Sequence, residues 1–227
     1  MKKLISLVLC GLACVGASIS AFATENQNDV VKKNDATEVV FIMDKSGSMN
    51  SIKDDAIGSY NSFIEKQKDF KDETIISVAM FNDKYDMLYN GVTIDEAKIT
   101  KDNYSPRGCT ALLDALGKTI TDVKSRHDSD IKAGKGIPKK TIVVVMTDGY
   151  ENASREYNLD TVKKLISECE KENNWEFVFL GANIDTFSTC KGLGINPGKS
   201  INFDATSLGV RKGMNELCSM VADIRSK

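Results

Sequence analysis

Three short segments of the chain combine oxygen-bearing side chains with glycine. Asp44-Lys45-Ser46-Gly47-Ser48 contributes a carboxylate and two hydroxyl groups, and Thr147-Asp148-Gly149 contributes a second carboxylate. Between them, Arg107-Gly108-Cys109-Thr110 leads into a helix-like stretch. These groups are hard oxygen ligands, and none of them is a strong nucleophile with a base beside it. A small set of hard oxygen atoms suits Mg²⁺ or Mn²⁺, which prefer octahedral oxygen coordination.

The charge of this set predicts how a bound ion would behave. Asp44 and Asp148 can at most neutralise a divalent ion, because the other candidate ligands, Ser46, Ser48 and Thr110, are neutral. If some of these groups contact the ion only through water, it stays electrophilic and keeps an open coordination position. Such an ion would attract a carboxylate from outside. We therefore expect a protein ligand that offers an Asp or Glu side chain.

The hydrophobic pattern places two of these segments at strand ends. Val39–Met43 is a continuous apolar run, which is typical of a strand buried on both faces, and Thr141–Met146 is the most hydrophobic predicted strand. Each of these segments precedes one of the carboxylates. Other strands are predicted at 75–81, at 86–90 near a sheet edge, at 177–180 and at 200–203. Helices are predicted from Ser51, which looks like an N-cap, from Thr110, at 159–171, at 184–193 and over 210–224.

Strands that alternate with helices pair in parallel through right-handed crossovers. The chain is therefore predicted to be an α/β protein with a doubly wound, mostly parallel central sheet and helices on both faces. In such sheets ligands bind at the carboxyl ends of the strands, where the strand order reverses. The functional site is expected just after Met43 and just after Met146.

The motif and its surroundings resemble the von Willebrand factor A family. Asp-x-Ser-x-Ser after the first strand, a distant Thr and a distant Asp form that family's metal-ion-dependent adhesion site. The resemblance runs from about Glu38 to Ile224. The chain is similar to small bacterial members of the family, which have a stretch like Phe179 to Asp185 after the fifth strand. The resemblance implies a Rossmann-like fold and a metal-dependent adhesion module. The matching metal-site positions are Asp44, Ser46, Ser48, Thr110 and Asp148.

Two other functional classes stay open. An enzyme is not expected, although a metal-dependent phosphotransferase or hydrolase could use Asp44 as its nucleophile. Haloacid-dehalogenase enzymes need a second acid two residues later, where this chain has Ser46. The sequence contains no Gly-x-Ser-x-Gly elbow and no Walker-type phosphate loop. The remaining alternative is a scaffold or adaptor subunit with a vestigial metal site.

Some neighbouring polar residues have local explanations. Thr110 alone could be a helix N-cap. Asp114 lies early in a predicted helix, where interaction with the helix dipole accounts for it, so it is left outside the predicted site. Tyr150 and Glu151 could rim the site, but a loop position would also account for them.

The N-terminus has the features of a secretory signal peptide. Lys2 and Lys3 precede an apolar run over 4–17, and Ala21-Phe22-Ala23 provides small residues for cleavage. We predict a signal peptide at 1–23, a flexible leader at 24–36 and the von Willebrand factor A-like domain at 37–227. This organisation predicts a secreted or extracytoplasmic protein with no transmembrane segment in the mature chain. A lipoprotein is the rival interpretation, because Cys10 and Cys14 lie in the apolar run.

Composition excludes some classes of function. The formal net charge is -2, and no basic stripe predicts nucleic-acid binding. One histidine and no C-x-x-C motif argue against a conventional zinc site. Four cysteines follow the cleavage site, and Cys169, Cys190 and Cys218 lie on predicted apolar faces, so they are expected to be buried thiols; the fourth is Cys109.

Overall fold

Six strands form one sheet in the computed structural model, which describes residues 32–227. Their order in the sheet is β3-β2-β1-β4-β5-β6, and β2 and β3 are antiparallel while the other neighbours are parallel. This arrangement confirms the predicted doubly wound, mostly parallel sheet. The strands are β1 (Lys33–Asp44), β2 (Thr74–Phe81), β3 (Tyr85–Val92), β4 (Ile137–Thr147), β5 (Trp175–Gly181) and β6 (Ser200–Asn202).

Helices cover both faces of the sheet. Successive side chains of a strand point to opposite faces, so Phe41 and Met43 pack on one helical layer, whereas Val40 and Ile42 pack on the other. The first layer contains α1 and α5, and the second contains α2, α3 and α4. The helices are α1 (Lys53–Lys66), α2 (Leu112–Lys132), α3 (Leu159–Glu172), α4 (Thr186–Leu193) and α5 (Ser207–Arg225).

The strand order reverses between β1 and β4. From β1 the chain builds β2 and β3 on one side, and it then returns to place β4 on the other side of β1. Met43 of β1 pairs with Met146 of β4, so these two central strands end side by side. The segments that carry Asp44 and Asp148 therefore leave the sheet at the same edge, where the sequence predicted the site.

The boundary between leader and domain differs from the prediction. Residues 33–36 belong to β1 rather than to a leader over 24–36, because Lys33 pairs with Ile137 and Asn34 pairs with Pro138. Backbone pairing to the start of β4 extends the strand through a polar stretch that has no apolar pattern. The predicted signal peptide and residues 24–31 lie outside the described residues.

The start of α1 also differs from the prediction. Ser51 is not the N-cap of this helix, since a 3-10 turn spans Gly47–Ile52 and α1 begins at Lys53. The Ser51 hydroxyl instead donates a hydrogen bond to the Ser48 carbonyl oxygen, at 3.3 Å. Burial of Met49 and Ile52 in the core fixes this turn directly after the Asp-x-Ser-x-Ser segment.

The cysteines match the prediction in part. Cys169 and Cys190 are buried, but Cys218 is only half-buried, and Cys109 is exposed. Within residues 32–227 no disulfide joins these cysteines. Over the same part of the chain, the helices are too short or too polar to cross a membrane.

Candidate metal site

The carboxylate of Asp44 lies where the two central strands end. It is fully buried. Its Oδ1 accepts a hydrogen bond from the Ser46 backbone N–H at 2.6 Å, and its Oδ2 accepts one from the Thr147 hydroxyl at 2.6 Å. Thr147 is the last residue of β4, so both central strands position this carboxylate. Thr147 was not among the predicted site residues, because a threonine at a strand end carries no distinctive signal.

The two serines link the first segment to Asp148. The Ser46 and Ser48 hydroxyl oxygens lie 3.1 Å apart, and Ser48 donates to Asp148 Oδ1 at 2.5 Å. The second contact joins residues that are 100 positions apart in the chain. Four of the five predicted site residues therefore form one continuous cluster.

Thr110 borders the same space from the third segment. A Cβ atom added to Gly149 would lie 3.2 Å from the Thr110 Oγ1 and 3.7 Å from the Ser48 Oγ. Gly149 therefore faces a space that two of the predicted hydroxyl ligands border, and its missing side chain leaves that space open. The structure thus brings all five predicted residues to one edge of the sheet.

Backbone contacts tie the loop before Thr110 to the loop after β1. The Arg107 N–H donates to the Lys45 carbonyl oxygen at 2.8 Å, and the Gly47 N–H donates to the Gly108 carbonyl oxygen at 3.0 Å. Gly108 has a φ of +77°, a conformation that favours glycine. The hydroxyl of the buried Tyr104 donates to the Asp44 carbonyl oxygen at 2.6 Å. Together these bonds fix the relative positions of the first and second segments.

Thr110 is held from its other side by the loop that follows Gly149. The Thr110 N–H donates to the Asn152 side-chain oxygen at 2.9 Å, and the Asn152 N–H donates to the Thr110 carbonyl oxygen at 3.0 Å. The first helical residue of α2 is Leu112, and its N-cap is Ala111, without a side-chain capping bond. Thr110 is therefore not the N-cap, and the local explanation for it does not apply.

Asp114 has a more specific role than interaction with the helix dipole. Its carboxylate accepts hydrogen bonds from the backbone N–H groups of Arg155, Glu156 and Tyr157, at 2.8–2.9 Å. Glu151 belongs to the loop after β4, and its carboxylate accepts a hydrogen bond from the Leu113 N–H of α2 at 2.9 Å. These two acids join the first turn of α2 to the loop that holds Thr110.

Burial shapes the electrostatics of the two site carboxylates. Burial raises the pKa of Asp44 to about 6, although hydrogen bonds from Thr147 and Ser46 oppose that rise. Burial also raises the pKa of Asp148. Within residues 32–227, no basic side chain forms an ion pair with either of them. Buried charges are ordinarily paired or coordinated to metals, so the site has the electrostatic character of a cation site.

The donor set fits an oxygen-preferring divalent ion. The described residues contain no cluster of three or more His, Cys, Asp and Glu side chains that could hold a metal. Any metal at this edge would therefore depend on the hydroxyl groups of Ser46, Ser48 and Thr110 as well as on the two carboxylates. Such a set of oxygen ligands, in which neutral hydroxyl groups outnumber carboxylates, fits Mg²⁺ or Mn²⁺ and leaves the charge of the ion incompletely compensated.

Comparison with known proteins identifies the fold. Neither a protein-family model nor a curated protein matches this sequence. A solved structure of the von Willebrand factor type A protein from Catenulispora acidiphila matches with a TM-score of 0.55 and 16% identity, over 83% of this chain and 42% of that one. The vWF domain of the type V pili tip protein Mfa5 from Porphyromonas gingivalis matches with a TM-score of 0.55 and 10% identity, over 82% and 95%. The chain therefore has the fold of von Willebrand factor A-type domains.

A third similar structure is that of proximal thread matrix protein 1 from the mussel byssus. It matches with a TM-score of 0.61 and 18% identity, over 85% of this chain. The present chain spans about half of the mussel protein, 47% of its length. A further structure of the same mussel protein, with a TM-score of 0.57, has a zinc-occupied MIDAS motif, the metal-ion-dependent adhesion site.

Proposed function

We propose that this protein is a divalent-metal-dependent binding module that recognises a protein ligand through an Asp or Glu carboxylate. The observation that carries the proposal is the pair of buried carboxylates, Asp44 and Asp148. They have no basic ion-pair partner among residues 32–227, and they lie among hydroxyl groups where the strand order reverses. The zinc-occupied adhesion motif of the mussel protein, which shares the fold, supports a metal at this edge of the sheet.

Each residue of the site has a distinct role in this proposal. The hydroxyl groups of Ser46, Ser48 and Thr110 would hold Mg²⁺ or Mn²⁺, and Asp44 and Asp148 would supply the negative charge, directly or through water. When bound, the ion supplies an electrophilic position for a carboxylate of the partner. Mg²⁺ loses its waters reluctantly, so we expect binding of moderate affinity.

Calorimetric titration of Mg²⁺ and Mn²⁺ into the mature chain tests the metal site. We expect wild type to bind and Asp44→Ala to lose binding, because this change removes about half of the compensating charge. Thr110→Ala should weaken metal binding less, since it removes a neutral ligand, but it should impair binding of the protein partner. Circular dichroism of each variant checks that the fold survives.

The matched control is Asp128→Ala, which removes an exposed acid on α2, outside the proposed site. This variant should bind Mg²⁺ as wild type does. The proposed metal site is wrong if wild type binds no divalent ion or if Asp44→Ala binds as tightly as wild type.

Capture experiments test the protein ligand. Mature chain immobilised on beads, with saturating Mg²⁺ in one arm and chelator in the other, should retain a partner only in the magnesium arm. An excess of free glutamate-containing peptide should reduce the capture. Equal capture in the two arms would contradict a metal-dependent mechanism.

We infer that the chain does not act as an enzyme. Asp44, the candidate nucleophile of a phosphotransferase, is fully buried, and both of its carboxylate oxygens accept hydrogen bonds from the protein. A generic phosphate ester with Mg²⁺ provides the test. Hydrolysis by wild type above the level of Asp44→Ala would contradict the inference.

We also propose that the chain acts outside the cytoplasm. The signal-like N-terminus supports export, and two structural neighbours are a byssus matrix protein and a pilus tip protein. N-terminal sequencing of exported protein should give a start at Thr24. A start at Cys14 would establish a lipoprotein, and a cytoplasmic pool that retains Met1 would contradict export.

A further inference from the structure

An apolar groove opens beside the candidate metal site. The cavity measures about 400 Å³. It is bordered by the first turn of α2, the loop after β4 and the start of α3, and on its other side by α4 and the two residues that precede α4. Its apolar lining includes Leu113, Tyr150, Leu159, Ile184 and Leu193. Tyr150 is 58% exposed and Leu159 is 45% exposed, so apolar surface is left open to solvent here. Clustered exposed apolar side chains mark surfaces that bind other molecules.

Tyr150 is held by a hydrogen bond despite its exposure. The Tyr150 hydroxyl accepts a hydrogen bond from the Asp185 backbone N–H at 3.0 Å. This bond ties the tyrosine to the start of α4 and fixes its ring on one wall of the groove. A fixed aromatic ring loses little conformational entropy on binding, which is why such residues dominate protein interfaces.

The polar groups of the lining are already engaged. The Glu151 carboxylate accepts hydrogen bonds from Leu113, Ala153 and Ser154, and Asp185 accepts one from the Ser188 N–H. These two acids are the charged side chains among the lining residues. An acidic occupant would be repelled, and the remaining open surface is apolar. The chemistry of the groove therefore favours an aliphatic or aromatic side chain.

Gly149 connects the groove to the metal site. It lines the groove, and it also faces the Thr110 and Ser48 hydroxyls, as the 3.2 Å and 3.7 Å approaches of an added Cβ establish. Because Gly149 belongs to both, a peptide whose carboxylate lies at the site has the groove beside it. An extended peptide advances about 3.3 Å per residue, so the residues next to the acidic residue are the ones that lie closest to the groove.

We propose that the ligand carries a large apolar residue within two positions of its acidic residue, and that this residue fills the groove lined by Leu113, Tyr150, Leu159 and Ile184. This inference rests on the proposed function, because the carboxylate brings the segment to the groove. The partner is thereby specified as a protein segment with adjacent acidic and apolar side chains.

Two matched peptides test the groove. The probes are acetyl-Gly-Ser-Leu-Glu-Leu-Ser-Gly-amide and its counterpart with serine in place of both leucines. Each is titrated into isotope-labelled mature chain with saturating Mg²⁺ and followed by NMR. We expect the leucine peptide to bind about tenfold more tightly, since burial of one leucine side chain suffices for that factor. Binding of the leucine peptide should change the NMR chemical shifts of the backbone amides of Leu113 and Leu159.

Two leucine variants separate the groove from general surface hydrophobicity. Leu159→Ser should reduce the preference for the leucine peptide to less than about twofold. Leu208→Ser removes a leucine of α5 that is 55% exposed and lies outside the groove, and it should leave the preference unchanged.

Mg²⁺ titration of wild type distinguishes failure of this inference from failure of the proposed function. If Mg²⁺ binds but the two peptides bind equally, or if neither binds, the groove inference is wrong and the metal site stands. Leucine-peptide binding that persists in chelator would also overturn it, since the groove would then act independently of the metal site. If Mg²⁺ does not bind, the proposed function and this inference fail together.

Discussion

Two residues outside the five predicted ligands, Thr147 and Gly149, help to shape the candidate site. The Thr147 hydroxyl and the Ser46 N–H hold the two oxygens of Asp44, so hydrogen bonds offset part of the cost of burying that carboxylate. Gly149 contributes by lacking a side chain, because it leaves the space beside Thr110 and Ser48 open. The site therefore depends on residues that would not themselves contact an ion.

Gly149→Ala should weaken Mg²⁺ binding by about tenfold or more while costing less than about 1 kcal/mol of stability. The added methyl would lie 3.2 Å from the Thr110 Oγ1, which is closer than ordinary van der Waals contact, and would occupy space beside the hydroxyl groups. Calorimetric titration measures the affinity, and thermal unfolding measures the stability.

Gly58→Ala is the matched control for this substitution. Gly58 lies on the exposed face of α1, and an added Cβ would meet nothing within 4 Å. The Gly58→Ala substitution should leave the Mg²⁺ affinity unchanged and stabilise the helix by up to about 1 kcal/mol. Wild-type Mg²⁺ affinity in Gly149→Ala would disprove the assigned role of Gly149.

The loop between β4 and α3 is the element that joins the site to α2. It has no regular secondary structure over 149–158. Asn152 and Glu151 of this loop nevertheless bind the start of α2, and Asp114 of α2 binds the loop in return. Burial alone would raise the pKa of Asp114, but hydrogen bonds from three backbone N–H groups lower it below the ordinary value. A lowered pKa means that the folded loop binds the ionised carboxylate preferentially.

Asp114→Ala should release this loop while the core stays folded. The amides of Arg155, Glu156 and Tyr157 lose their acceptor, so their hydrogen exchange should become at least about tenfold faster. Mg²⁺ affinity should fall as well, because Thr110 is held by the same loop. Hydrogen-exchange NMR and calorimetry measure the two effects.

Asp128→Ala again provides the comparison, since it removes an exposed acid from the same helix. It should leave the exchange of the three loop amides unchanged. If Asp114→Ala preserves their wild-type protection, Asp114 does not fasten the loop and its position on α2 is sufficiently explained by the helix dipole.

A buried ionic cluster around Glu38 of β1 contributes to the stability of the whole molecule. Glu38 is fully buried, and its carboxylate accepts hydrogen bonds from Ser77 of β2 and Arg126 of α2, each at 2.6 Å. His127 of α2 lies 2.8 Å from its other oxygen. Burial by itself would raise the pKa of Glu38, but these partners lower it below its ordinary value of 4.5.

The sign of this shift predicts acid sensitivity. The pKa of Glu38 is lower in the folded state, so its contribution is complete above the ordinary value of 4.5 and is lost as pH falls through the folded value. Glu38→Gln should destabilise the protein by about 3 kcal/mol at neutral pH, because it leaves Arg126 without its buried partner. It should also remove part of the acid-induced loss of stability.

Urea unfolding from neutral pH down to about pH 3 measures both effects, since acid titrates a carboxylate over this range. Glu216→Gln, which changes an exposed acid of α5, serves as the control and should follow the wild-type pH profile. An unaltered profile in Glu38→Gln would contradict the assigned role of the buried cluster.

The location of the candidate site could be predicted from the sequence. Val39–Met43 and Ile142–Met146 are apolar throughout, because a central strand is covered on both faces. Intervening helices require parallel pairing. The carboxyl ends of both strands therefore meet at one edge. This edge was predicted to hold Asp44, Ser46, Ser48, Thr110 and Asp148, and the structure brings these residues together there.

Only the tertiary structure decided which neighbours support that group. Asp114 has the sequence features of an acidic residue in the first turn of a helix, but its carboxylate accepts hydrogen bonds from backbone N–H groups 41–43 positions away. Ser51 has the features of an N-cap, yet the buried side chains of Met49 and Ile52 impose a 3-10 turn there. Local sequence patterns report which faces are buried and where strands end. The partners of each side chain depend on packing between segments that are distant in the chain, and no local pattern encodes that geometry.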